Sequence, residues 1–192
     1  MIISIVGLSG SGKSFIASIL QNYNQRIIHL DIDKVGHNIY SNPKVIEEMI
    51  QEFGTEIMKD GLINRKKLGQ IVFSSSQKMQ RLEDITWYYM QQEIDEFIND
   101  NQDKIILLDW LLLPKTKYFK TSDLRILISA SYETRLNRAM KRDQITEKKF
   151  ALRNQAAPII DETQFEYIIN NEELTKTEEE VRKIYDKSII HR

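Results

Sequence analysis

Cysteine is absent from the 192 residues, which excludes disulfides, thiolate metal centres and cysteine nucleophiles together. Glycine (7) and proline (3) are scarce. With no low-complexity stretch and no repeat of solenoid length, nothing reads as a flexible linker between separate domains. Neither sign of charge dominates, since 27 Lys and Arg face 28 Asp and Glu for a formal net charge of −1. That excludes the global basic field that drives non-specific nucleic-acid binding, so any polyanion must be held by a local cluster. No apolar run approaches the ~20 residues that span a bilayer, and no cationic leader precedes an apolar segment. A soluble cytoplasmic protein is expected, without membrane or nucleic-acid partners and monomeric or weakly homo-oligomeric. The three histidines, His29, His37 and His191, lack metal-ligand spacing and read as structural or solvated.

Short apolar runs are present instead. Ile2 to Val6, Ile27 to Leu30, Ile105 to Leu108, Leu124 to Ile128 and Tyr167 to Ile169 lack polar alternation, as strands covered on both faces do. Helical patterns over Thr134 to Lys141 and Thr175 to Lys187, and a longer one over Ser75 to Asp100, lie between or after them. Strand and helix alternating in this way predict a parallel α/β sheet whose ligands bind outside the carboxyl ends of its strands. A chain of this length matches one domain, burying ~70% of the surface its unfolded form exposes. The stretch from about 43 to 101 breaks the rhythm. It is mostly helical in spacing, with Phe53-Gly54 and Lys59-Asp60-Gly61 as turns, and suits a helical substrate-binding insertion.

The most informative segment follows the first apolar run. Residues 7 to 14 read Gly-Leu-Ser-Gly-Ser-Gly-Lys-Ser, a P-loop between a predicted strand and the predicted helix that starts near Phe15. Its backbone N–H groups can cradle phosphate, and its glycines permit the close approach that side chains would obstruct. ATP is therefore expected at Gly10, Ser11, Gly12, Lys13, Ser14 and Phe15, with Lys13 reaching the β- and γ-phosphates and the Ser14 hydroxyl on Mg²⁺. The bland alternative is a glycine turn with a solvated lysine.

Three further groups bear chemistry. Asp31 and Asp33 close the second strand, placing two carboxylates at the edge that carries the P-loop; they suit a base for an acceptor hydroxyl, or else a helix cap. Arg135, Arg138 and Arg142 are spaced i, i+3, i+7 and share one helical face. With Lys148, Lys149 and Arg153 they suggest a basic lid over about 138–158 that supplies charge to phosphates, or else a solvated surface paired with Glu147 and Asp143. Asp109, ending the run Ile105 to Leu108, has the form of a Walker-B carboxylate able to order a magnesium-bound water, and could equally open a turn. The residues alone leave two readings open: a P-loop kinase of a small hydroxyl or phosphate acceptor, such as a nucleoside or nucleotide, and a nucleotide-binding regulator without turnover.

In these motifs the chain resembles the dephospho-coenzyme A kinase family over nearly its whole length. The P-loop, Asp31-Ile32-Asp33, Phe53-Gly54, Gly61-Leu62-Ile63-Asn64-Arg65-Lys66-Lys67-Leu68, Val72-Phe73, Arg138 with Arg142, Gln155 and Ile168-Ile169-Asn170-Asn171 follow the family's order and spacing. Trp87-Tyr88 stand where the family pattern has His-Pro, and Trp110 and Pro114 fall in a segment where it has Pro-Leu-Leu-Phe-Glu; both segments face the acceptor in the family. The resemblance implies a P-loop three-layer α/β sandwich with a parallel sheet of about five strands, a helical acceptor insertion and a basic lid. It also implies ATP-dependent phosphorylation of the ribose 3′-hydroxyl of dephospho-coenzyme A. Asp33 would be the base, Arg138 and Arg142 would stabilise the migrating phosphoryl group, and Asp31 and Arg65 would help form the acceptor site.

Overall fold

The computed structural model describes residues 1–190, so His191 lies outside the described residues. In chain order the elements are β1 (Ile2–Val6), α1 (Lys13–Tyr23), β2 (Ile27–Asp31), α2 (Ile32–Asn38), α3 (Pro43–Phe53), β3 (Met58–Lys59), β4 (Leu62–Ile63) and α4 (Arg65–Val72). There follow α5 (Ser76–Asp100), β5 (Ile105–Asp109), α6 (Lys117–Thr121), β6 (Leu124–Ser129), α7 (Tyr132–Asp143), α8 (Glu147–Gln155), β7 (Tyr167–Asn170) and α9 (Leu174–Ile184), the last running into a π-helical turn over Tyr185–Ile189. These form two compact units, one of residues 1–31 with 101 onward and one of residues 32–100.

The first unit is built on a five-stranded sheet in the order β2-β5-β1-β6-β7, and every pairing is parallel. All five predicted strands are present. β5 is buried along its whole length, which is why its sequence is apolar without alternation: both faces are covered. Ile3, Ile5, Leu107, Ile126 and Ile128 pack with Ile16, Ala17 and Leu20 of α1 and Val181 and Ile184 of α9. Each isoleucine, leucine or valine among them contributes about 1.5–3 kcal/mol on burial. The buried Ser4 on β1 bonds Ser122 Oγ at 2.7 Å, so its hydroxyl is satisfied within the core. Because β1 lies between β5 and β6, the strand order reverses beside it, and the loop after β1 stands at the topological switch point where such sheets bind ligands.

The second unit holds α2 to α5 and the short antiparallel hairpin β3–β4. α3 buries Val45, Met49 and Phe53 on one i, i+4 stripe, is capped by the Asn42 side chain accepting from Lys44 N–H, and stops at Gly54 with φ 86°. The hairpin turns on Asp60 (φ 51°) and Gly61 (φ 78°), two consecutive positive φ angles of the kind a tight hairpin requires. The helical character and both turns of this stretch follow the sequence pattern; the two-residue strands were too short to read. The unit begins at Ile32, earlier than the helical pattern suggests, because α2 follows β2 without a loop.

Candidate active site

The loop from Gly7 to Gly12 turns tightly, with Ser11 N–H donating to the Leu8 carbonyl at 3.0 Å. Gly12 caps α1 at φ 98°, offers no side-chain acceptor, and is followed by a first turn without acidic residues. A helix start of this kind leaves its N–H groups and the positive end of its dipole for an anion. Gly10 has φ 84°, and a Cβ there would run into the Arg135 backbone carbonyl, so the turn tolerates no side chain at that point.

Three side chains converge beside the loop. Lys13 Nζ donates to the Gly7 carbonyl at 3.1 Å and stands 3.7 Å from Asp109 Oδ1. Ser14 Oγ donates to Asp109 Oδ2 at 3.2 Å. Asp109 ends β5, is 3% exposed, and is the register partner of Asp31 on β2. It is thus a strand-end carboxylate beside the Ser14 hydroxyl and not the start of a turn. His29, read from sequence as structural or solvated, places its buried Nε2 3.3 Å from Asp109 Oδ2 without hydrogen-bond geometry. Nothing in its spacing marked it, because the proximity comes from the pairing of β2 with β5.

Opposite charge is supplied by α7 and α8. The arginines at i, i+3, i+7 do not share one environment. Arg135, 6% exposed, donates to the Ala130 carbonyl at 3.2 Å and to Asn154 Oδ1 at 2.8 Å. Burial pulls its guanidinium below the usual arginine range. Arg138 Nη1 reaches the Ser11 carbonyl of the P-loop at 3.4 Å. Arg142, on the last turn of α7, pairs with Asp143 at 2.6 Å. Helical spacing fixes the direction of a side chain but not what packs there: the Arg135 backbone lies against Gly10, whereas Arg142, seven residues on, is paired with Asp143.

Arg153 of α8 donates to Ser9 Oγ at 3.2 Å and to Asp143 Oδ2 at 2.7 Å. The hydrogen bonds from Arg142 and Arg153 hold the Asp143 carboxyl down at about 2, so this carboxylate latches α7 to α8. Glu172 accepts from Ser131 N–H and, at 2.6 Å, from the Thr134 hydroxyl. Those bonds lower its carboxyl from the usual range and tie the segment after β7 to the start of the arginine helix.

Of the residues singled out from sequence, Gly10, Ser11, Gly12, Lys13, Ser14, Phe15, Asp31, Asp109, Arg138 and Arg142 belong to the first unit. Asp33 lies in the first turn of α2, in the second unit. So does Arg65, which opens α4, donates to the His37 carbonyl at 2.5 Å and lies 4.5 Å over the Tyr40 ring. No group of three or more His, Asp or Glu among the described residues could hold a metal ion by itself. Ser14 beside Asp109 nevertheless suits Mg²⁺, which takes one or two protein oxygens and completes its shell with phosphate and water.

A parallel sheet with a P-loop after its central strand, and a lysine, a serine hydroxyl and a buried carboxylate gathered at that loop, define a P-loop phosphotransferase of the small-molecule kinase class. The family model for dephospho-CoA kinase matches residues 1–177, and the chain belongs to that family. It is 32% identical over 191 residues to a dephospho-CoA kinase of Aquifex aeolicus, with 96% of each protein covered. In fold it is similar to a Thermus thermophilus crystal structure (TM-score 0.82, 22% identity, covering 98% of this chain and 97% of that one). It is also similar to a dephospho-CoA kinase from Campylobacter jejuni (TM-score 0.62, 22% identity, covering 97% and 96%).

Proposed function

We propose that the chain transfers the γ-phosphoryl group of ATP to the ribose 3′-hydroxyl of dephospho-coenzyme A, giving ADP and coenzyme A, the last step of coenzyme A synthesis. The observation that carries this reading is the convergence of Lys13, Ser14 and Asp109 at the start of α1 in a member of the dephospho-CoA kinase family. In the reaction the acceptor oxygen bonds to the γ-phosphorus, the bond to the β–γ bridging oxygen breaks, and the hydroxyl proton passes to a base. Asp33 is assigned as that base. The P-loop N–H groups and Lys13 hold the phosphates, and Arg138 and Arg142 stabilise the charge that moves between donor and acceptor. Phosphoryl transfer asks mainly for such positioning and charge.

Ser14, with Asp109 behind it, would hold Mg²⁺, which when bound neutralises phosphate charge. Asp31 and Arg65 are assigned to the acceptor. No helix among the described residues is long and apolar enough to cross a membrane, and a cytoplasmic monomer or weak homo-oligomer is the reading that goes with a small-molecule kinase.

The deciding experiment is coupled ADP release at saturating ATP with dephospho-coenzyme A, adenosine, nucleoside monophosphates and shikimate as acceptors. Dephospho-coenzyme A is expected to give the highest kcat/KM, even with Trp87, Tyr88, Trp110 and Pro114 in the acceptor-facing segments. A higher value for any other acceptor would leave the chain a small-molecule kinase with a different substrate.

A further inference from the structure

The peptide between Ser11 and Gly12 is gripped from outside the P-loop. Asn171 Nδ2 donates to the Ser11 carbonyl at 2.8 Å, and Arg138 Nη1 approaches the same oxygen at 3.4 Å. Asn171 is 3% exposed and follows β7, where its own N–H donates to the Ser129 carbonyl at 2.8 Å. Its Oδ1 accepts the hydroxyl of Thr177 at 3.3 Å, and Thr177 is fully buried on α9. A carboxamide has one accepting and one donating end. A hydroxyl fixed on the oxygen therefore turns the NH₂ toward Ser11. So close is the packing that a Cβ on Gly12 would collide with Asn171 Nδ2.

The consequence lies in the geometry of the peptide bond. In a trans peptide the carbonyl and the N–H that follows it point in opposite directions. With the Ser11 carbonyl turned out toward Asn171, the Gly12 N–H is turned the other way. Gly12, at φ 98°, is the one residue type that adopts either sign of φ at little cost, so local sterics alone do not prevent this peptide from flipping. A flip would aim the negative end of a carbonyl where phosphate must bind. The hydrogen bond from Asn171 opposes that flip, and Thr177 keeps the amide from rotating.

We infer that Asn171, oriented by the Thr177 hydroxyl, is a positioning residue for the nucleotide: it locks the Ser11–Gly12 peptide so that the Gly12 N–H serves as a phosphate donor. This rests on the reading of the P-loop as the ATP site. It adds a tether from the far end of the sheet, 160 residues along the chain from Ser11.

The test is calorimetric binding of ATP with Mg²⁺, and separately of dephospho-coenzyme A, to the full chain and to Thr177→Val, Thr177→Ser and Asn171→Asp, with the melting temperature of each. Thr177→Val keeps the shape and removes the hydroxyl; its ATP Kd is expected to rise about three- to tenfold while the acceptor Kd holds, and Thr177→Ser to restore it. Asn171→Asp replaces the donor facing Ser11 with an acceptor and is expected to weaken ATP by more than about tenfold. Should that variant fail to fold, the Thr177 pair decides alone. Wild-type ATP affinity in a folded Thr177→Val protein overturns the inference, as does parallel weakening of both ligands, which marks a purely structural tie. A wild-type chain that fails to bind ATP while binding dephospho-coenzyme A overturns the P-loop reading itself, a result distinct from either.

Discussion

The Ser14 hydroxyl donates to Asp109 Oδ2 at 3.2 Å, joining the first turn of α1 to the end of β5. The same carboxylate faces Lys13 Nζ at 3.7 Å, so a cation, a hydroxyl and a carboxylate are fixed relative to one another by the start of a helix and the end of a strand. Two opposite charges ~4 Å apart attract by ~4 kcal/mol at an effective dielectric of ~20. Desolvation of the buried partner offsets much of this, so the arrangement serves positioning more than stability.

Asp109→Asn is expected to weaken magnesium activation by about 10- to 100-fold, the usual cost of losing a group that orients metal-bound oxygens. The amide retains the size of the carboxylate, so the sheet should fold as before. Initial rates across a magnesium titration measure it. A variant with the wild-type magnesium dependence would remove Asp109 from the site.

Lys13→Ala is expected to lower kcat/KM by about 10² to 10³, the scale of losing one preorganised electrostatic group. The loop takes its shape from its glycines and from contacts with Ser11 and Gly10, so thermal unfolding should move little. Near-normal turnover in the purified variant would contradict the ATP-site assignment.

Ile2 to Val6 and Ile105 to Leu108 were legible as strands because burial on both faces leaves an uninterrupted apolar run, and the P-loop was legible because its chemistry is local in sequence. The acidic end of β5 was legible as a candidate but not as a partner of Ser14, a contact 95 residues apart. In the sequence Asn171 stands out only as the end of the run Ile168-Ile169-Asn170-Asn171. Its bond to Ser11 depends on β7 lying next to β6, and no periodicity encodes strand order. Arg135 and Arg142 share a helical direction, yet one is buried and the other pairs with Asp143, a difference set by the neighbours of α7. His29 gained its place beside Asp109 in the same way, through strand register.

For Asp33→Asn the expected change is a fall in kcat of about 10² to 10⁴ with ATP affinity retained, the range for removing a general base. Asp33 is in the first turn of α2, two residues beyond the strand-end Asp31. Parallel assays of Asp31→Asn separate the pair. Full activity in Asp33→Asn beside an inactive Asp31→Asn would exchange their roles.

The Asp143 latch carries a pH signature. Its carboxyl lies at about 2 in the fold against an ordinary 3.8, held down first by Arg142 and then by Arg153. A depressed folded value means that the contribution to stability is complete above about pH 4 and is lost as pH falls through about 2. The side chain is 24% exposed, so solvent screening keeps the effect modest. Denaturant unfolding measured between pH 4 and 2 should show a smaller loss of stability in Asp143→Asn than in the wild type. Identical slopes in the two proteins would mean that the latch contributes nothing.

The two arginines that the sequence sets side by side are expected to separate by function. Arg138 reaches the Ser11 carbonyl of the P-loop, so its guanidinium is already at the phosphate end of the unit. The side chain of Arg142 is 64% exposed and engages Asp143, and to meet a phosphate it must exchange that carboxylate for the ligand. Arg138→Ala should therefore raise the ATP KM and lower kcat together, by about 10² or more in kcat/KM. Arg142→Ala should leave the ATP KM near its wild-type value and act mainly on kcat, where charge develops during transfer. Removing it also frees Asp143 to pair fully with Arg153, so the double variant Arg142→Ala with Asp143→Asn tests whether the loss comes from the arginine or from the rearranged latch. Steady-state kinetics in both substrates decide the matter. Equal effects of Arg138→Ala and Arg142→Ala on the ATP KM would show that Asp143 does not hold Arg142 away from the nucleotide and that the two guanidinium groups act as one cluster.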